Sequence, residues 1–118
     1  VISAFGAFGS LSRYLIYLIF PASGSFLATA LVNIAGSLLA GVAYEIIRSY
    51  GFSDIFRLAI ITGFLGGFTT FSAFSLDVIK MLENQNYYQA ISYTLITLVF
   101  AVIAALLGVY LCRKLLHP

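Results

Sequence analysis

Apolar residues in this chain run on for many positions rather than alternating with polar ones. Four such stretches stand out, at about Ile2 to Phe20, Phe26 to Ile47, Ile55 to Met81 and Tyr87 to Leu111. Each is near the roughly 20 residues that a helix needs to cross a bilayer. The punctuation between them is short. It consists of Pro21-Ala22-Ser23-Gly24-Ser25, the segment from Arg48 to Asp54, and Glu83-Asn84-Gln85-Asn86. In lipid only helices and closed barrels satisfy every backbone amide and carbonyl, and the runs lack the strict alternation of barrel strands. The pattern predicts an all-α membrane protein, a single domain over residues 1–118 with four transmembrane helices. There is no long linker, low-complexity tract or second domain, and the even number of spans puts both termini on one side.

The third stretch is too long and too interrupted for a plain span. Its middle reads Gly63-Phe64-Leu65-Gly66-Gly67-Phe68-Thr69-Thr70-Phe71-Ser72-Ala73-Phe74-Ser75. Gly66 and Gly67 weaken a helix, and two β-branched threonines follow them. Two readings stand side by side. Gly63 and Gly67 have the spacing of a helix–helix packing motif. Alternatively, the span is a discontinuous helix whose freed backbone groups face an ion or water, the setting in which broken backbone persists at membrane depth. Freed carbonyls suit a hard monovalent cation, whereas amides and hydroxyls suit an anion.

Composition narrows the class further. Sixty-two per cent of residues are hydrophobic and 8% are charged, against about a quarter charged in soluble domains. A net charge of +2 without a basic and aromatic patch gives no footprint for nucleic acid. The single Cys112 excludes an internal disulfide, and no His/Cys cluster, phosphate-cradling loop or Ser-His-Asp set is present. These absences argue against an enzyme. The opening segment lacks a basic start and continues into further spans, so it reads as a span rather than a cleavable leader. Arg48, Arg57, Arg113 and Lys114 flank the side of the termini, against Lys80 on the other, which favours termini in the cytoplasm. Glu45 and Asp77 are placed with the other charges near helix ends. With no carboxylate deep in a span, a proton-coupled pump is disfavoured.

The candidate chemistry therefore lies in uncharged polar groups. Thr29, Asn33 and Ser37 share one face of the second helix. An amide such as that of Asn33 is costly in mid-membrane unless partnered, so it makes either an interhelical hydrogen bond or a donor to a permeating ion. Phe71 and Phe74 fall on neighbouring turns, flanked by Ser72 and Ser75. Phenyl edges are weakly positive and hydroxyls donate hydrogen bonds, so this face either packs a core or meets an anion. Tyr93 and Thr97, four residues apart, form a weaker stripe in the fourth helix. Arg13 is the one cation well inside an apolar stretch, either snorkelling to the interface or making an electropositive vestibule.

Three of these motifs, in order, resemble the Fluc (CrcB) family of fluoride channels. Residues 63–75 are similar to its broken third helix, G-F-x-G-G-x-T-T-F-S-T-F-S. Gly6-Ala7-Phe8-Gly9-Ser10-Leu11-Ser12-Arg13-Tyr14 resembles the glycine-rich first helix, and Leu31-Val32-Asn33-Ile34-Ala35-Gly36-Ser37 resembles the V-N-x-x-G-S segment. Ala73 stands where threonine is usual, and Ala7 follows one glycine where two are common. The resemblance implies an antiparallel, dual-topology-type dimer in the cell's inner (plasma) membrane, with two narrow pores exporting fluoride passively. It implies that Phe71 and Phe74 line the path edge-on, that Asn33 donates its amide, and that Ser72, Ser75, Tyr93 and Thr97 belong to a polar track. It also implies a structural sodium ion at the dimer centre, held by the carbonyls of Gly66 and Thr69. The partner is either a second copy, giving a homodimer, or a related chain, giving a heterodimer. A small multidrug transporter and a non-transporting assembly subunit are the rival classes; the first needs a membrane-embedded carboxylate.

Overall fold

A computed structural model describes residues 1–118, and the chain is all helical. Helix α1 spans Ile2–Tyr17 and α2 spans Ser25–Tyr50, with a 3-10 turn at Ala22–Gly24 between them. The next span is composite. A short α3 at Asp54–Arg57 continues as a π-helical segment at Leu58–Leu65 and one last turn, α4, at Gly66–Phe68. Thr69 and Thr70 are extended, and α5 then runs Phe71–Glu83. Helix α6 covers Tyr87–Leu116. Three segments are long and apolar enough to cross a bilayer: Ala22–Tyr50, Asp54–Glu83 and Tyr87–Leu116. The first helix is shorter than the run of apolar residues suggested. Helix α1 stops at Tyr17, ahead of Pro21, because that proline fixes its own φ and disfavours helix in the residue before it.

The ends of the helices follow local chemistry. Gly51 takes the left-handed conformation (φ 65°) that closes α2, and its amide donates to the Ile47 carbonyl. The Ser53 hydroxyl accepts from the Phe56 amide and starts α3. Gln85 adopts φ 61° in the turn before α6, where the Asn86 amide reaches back to the Met81 carbonyl at 2.8 Å.

Glycines set how closely the helices approach. Helix α2 packs most extensively on α6. A Cβ on Gly41 would sit 3.0 Å from the Val109 nitrogen, and one on Gly108 would sit 3.0 Å from the Val42 nitrogen. Helix α1 lies along the π segment and α4. There a Cβ on Gly63 would meet Phe5 Cβ at 2.9 Å, and one on Gly9 would meet the Phe68 nitrogen at 2.8 Å. Small residues let backbones touch where lipid supplies no hydrophobic drive between helices.

Only 21 of 118 residues are buried, and large apolar side chains such as Ile19, Phe8, Phe71 and Leu106 lie open on the surface. So much exposed apolar surface fits lipid or another chain, not water. At the end nearest the C-terminus, Glu45 is fully buried and receives both Arg48 and Arg113. This ties α2 to α6.

Candidate ion pathway

The interruption at Thr69–Thr70 is built by four side chains. The Thr69 hydroxyl and amide both donate to the Leu65 carbonyl, at 2.9 and 3.0 Å, which ends α4. The Thr70 hydroxyl accepts from the Ala73 amide at 3.2 Å and so caps the start of α5. Asn33 reaches across from α2 with both of its polar atoms. Its Nδ2 donates to the Thr70 carbonyl at 3.1 Å, and its Oδ1 accepts from the Thr70 amide at 2.8 Å. Arg13 reaches from α1 and donates through Nε to the Gly67 carbonyl at 3.1 Å. Backbone groups released by the break are thus met by side chains, as a low-dielectric setting demands.

One released group is left over. The Thr70 amide is committed to Asn33, so the Gly66 carbonyl loses the donor four residues on that would close a helical turn. Gly66 is exposed, while Gly67 beside it faces α1. The two glycines therefore serve different faces. Gly63 and Gly67 form the packing surface against α1, and Gly66 is the exposed one.

Beside the break lies a cavity of about 380 Å³ with no charged residue in its wall. Asn33 and Ser37 of α2, Gly66, Thr69 and Thr70 at the break, Phe71 and Phe74 of α5, and Thr97 of α6 face it. Thr97 is 4% exposed and its hydroxyl has no partner in the protein. A buried polar atom without a partner costs roughly 1–3 kcal/mol, so a donor sits unused in a residue of the cavity wall.

Of the residues singled out from the sequence, Asn33, Ser37, Gly66, Thr69, Phe71, Phe74 and Thr97 come together here. Phe71 stands out from the surface at 72% exposure, whereas Phe74 is buried, 5.5 Å from it between ring centres. The others lie elsewhere. Tyr93 is buried behind Phe74, with ring centres 5.2 Å apart, and its hydroxyl donates to Asp77 Oδ2 at 2.9 Å. The Ser75 hydroxyl donates to its own helix at the Phe71 carbonyl, and that of Ser72 pairs with Thr70 Oγ1. Arg13 does not line the cavity; it is held on Gly67.

Asp77 and Glu45 are more buried than charges near helix ends usually are. Glu45 lies near the end of α2 and Asp77 lies in α5 on the side of the turns that hold Ser23, Asn84 and Asn86, as expected of charges, yet both are buried. Glu45 has a partner in its own helix, Arg48, but its second partner Arg113, and the Tyr93 that meets Asp77, come from α6 and have no local signal. The buried hydroxyl pair of Tyr17 and Thr29 also has no signal in the sequence beyond the polar face of α2.

A helical membrane protein with an uncharged cavity against a break in one of its spans is the class that this architecture defines. The chain belongs to the CrcB family: the model of the CrcB-like protein family, Camphor Resistance (CrcB), matches residues 1–109. Among similar proteins is a fluoride-specific ion channel FluC of Syntrophotalea carbinolica, 39% identical over 118 residues, covering 97% of this chain and 96% of that one. Those of Helicobacter acinonychis (37% identical; 92% and 90% covered) and of a Caulobacter species (35%; 98% and 94%) are similar over nearly their whole lengths. These relatives carry the names of ion channels, not of enzymes or of proton-coupled exporters.

Proposed function

We propose that this protein is a fluoride channel of the cell's plasma membrane that lets fluoride leave the cytoplasm down its electrochemical gradient. The observation that carries this reading is the charge-free cavity at the break, lined by Asn33, two phenylalanines and Thr97, whose buried hydroxyl has no partner in the protein. The names of the relatives supply the ion.

Fluoride is small and strongly hydrated, so a pore has to replace its water with fixed donors. Asn33 Nδ2 keeps a second N–H after donating to Thr70, and Thr97 has its hydroxyl free. Phenyl edges at Phe71 and Phe74 add weak positive character without a full charge. The sum is moderate attraction, which lets an ion enter and also leave. Ser72, Ser75 and Tyr93 extend the polar track beyond the cavity.

The open position of Phe71 and the one-sided cavity support an antiparallel dimer, with α1 as the fourth crossing and a pore on each side of the two-fold axis. The partner is a second copy or a related chain in the opposite orientation. Sodium fits at the centre of such a dimer. The exposed Gly66 carbonyl has lost its helical partner, and neutral carbonyl oxygens are the donors a hard monovalent cation takes. Gly66 and Thr69 of each subunit would hold it, and its role would be to bind the two breaks together.

Purified protein in liposomes loaded with fluoride or with chloride tests the reading. Fluoride should leave rapidly and chloride should stay. Equal efflux of both ions, or none of either, would overturn it.

A further inference from the structure

A second groove opens between the last turns of α2 and the start of the third span. It measures about 510 Å³ and is lined by Tyr44, Ile47, Arg48, Arg57, Leu58, Ile61 and Thr62. Two observations connect it to the cavity at the break, and a third distinguishes it by charge from the neighbouring groove, which shares Leu65 with the cavity. Ile61 is in the wall of both. Along α2 the cavity residues Asn33, Ser37 and Ala40 continue at helical spacing into Tyr44, Ile47 and Arg48, so one face of the helix serves both spaces. The other flank of the same two segments carries a separate groove of about 250 Å³, lined by Leu39, Val42, Ile46, Phe56 and other apolar residues only. That flank suits lipid, and the arginine-bearing flank suits an ion in water.

The two cations on this groove retain donors. Arg48 spends Nε and one Nη2 hydrogen on Glu45, which leaves three of its five N–H groups. Its side chain is half exposed. Arg57 donates once to Asp54, which is itself open to solvent, so this pair is weak. Glu45 is shared between Arg48 and Arg113, so the three groups together keep a positive charge. From Asn33 to Arg48 is about 15 residues of helix, roughly 22 Å.

We infer that this groove is the entrance through which anions reach the cavity from the side of the termini, and that Arg57 is its steering cation. The inference deepens the channel reading and rests on it. It also moves the electropositive role away from Arg13, whose Nε is engaged on Gly67. Arg48, held by Glu45, adds a fixed positive charge, while Arg57 is the group that can be changed without touching the buried clamp.

Field steering by an exposed charge fades with salt, whereas a structural defect does not. Fluoride efflux from liposomes is measured for the native protein, Arg57→Gln and Arg57→Glu at ionic strengths of about 10 mM and about 300 mM, with impermeant salt. At low salt Arg57→Glu should be slowed roughly threefold to tenfold and Arg57→Gln less, with the deficit largely erased at high salt. Rejection of chloride should be unchanged. In a second arm Thr62→Cys, made with Cys112→Ser, is modified by an anionic thiosulfonate, and the flux should fall. Native protein that conducts, with Arg57→Glu equally fast at low salt or equally impaired at both salts, overturns the entrance. Complete modification of the introduced thiol without loss of flux also overturns it. Native protein that does not conduct fails the channel reading instead.

Discussion

Asn33 offers the sharpest test, because its amide has two separable duties. It pins the Thr70 amide and carbonyl with two hydrogen bonds, and it has one N–H left for an ion. Replacing it by leucine of similar size removes both bonds and strands two backbone groups at membrane depth. Each stranded group costs roughly 1–3 kcal/mol. Asn33 and Thr70 are half-buried beside a cavity that admits water, so the lower end applies and the pair is worth about 2–3 kcal/mol. That corresponds to a fall of about 30-fold to about 160-fold in the population with the break held in place. Asn33→Gln keeps an amide but lengthens the arm by a methylene, so two-point pairing is lost while a donor remains. Hydrogen exchange at the Thr70 amide should accelerate in both variants by about that factor, and the unfolding midpoint in detergent should drop in both. Fluoride efflux should fall further in Asn33→Leu than in Asn33→Gln. If flux is lost while Thr70 exchange and the midpoint are native, the amide serves the ion alone and the pinning argument is wrong.

Phe71→Ile should cut fluoride flux strongly while leaving the unfolding midpoint nearly native, because the ring is mostly exposed within the subunit. Phe74→Ile should lower both, since that ring is buried against Tyr93; a thermal melt beside the efflux assay separates the two. Gly41→Ala should destabilise the α2–α6 pair by roughly 1–3 kcal/mol, as a methyl there meets the backbone of Ala105 and Val109, and a native denaturation curve would refute it. Glu45→Gln should lower the unfolding midpoint by leaving Arg48 and Arg113 without their shared anion, and adding Arg113→Gln should recover part of the loss in a double-mutant cycle. Replacing sodium with a bulky organic cation throughout purification should lower the midpoint, and a midpoint independent of sodium would leave the Gly66 carbonyl without an ion.

The helical class and the long apolar segments were legible because a run of apolar residues is a local property, read without knowing what lies across from it. The residues of the break were legible for the same reason. Two glycines followed by two threonines are poor helix material, and the chemistry of Thr69 and Thr70 acts within four residues of each. The role of Asn33 was half legible. Its cost in lipid announced that it has a partner, but the partner is backbone 37 residues away. The burial of Asp77 and Glu45 was not legible, because helix-end position is counted along the chain, whereas burial is decided by α6, which carries Tyr93 and Arg113 to them. Arg13 offered snorkelling or a vestibule. The carbonyl it reaches exists only because the helix ends at Phe68, so the third possibility depended on a fold still unknown.

The alternative posed by residues 63–75, packing motif or broken helix, dissolves once the faces are separated. Gly63 and Gly67 both lie against α1, where a side chain on one would strike Phe5 and a side chain on the other would strike Ser10. That contact fixes the stub of helix on one side. Arg13, on the same α1, then occupies the Gly67 carbonyl, and Asn33 holds Thr70 from α2. A break secured from two helices is rigid, and rigidity is what permits donors to replace the hydration shell of a small ion without reorganising around it. In the proposed channel, tight packing on one face of the segment is therefore the condition for a selective opening on the other. It follows that Gly67→Ala, at a position outside the cavity wall, should slow fluoride efflux as well as lower the unfolding midpoint. A variant that packs poorly yet conducts normally would separate the two faces and undo this coupling.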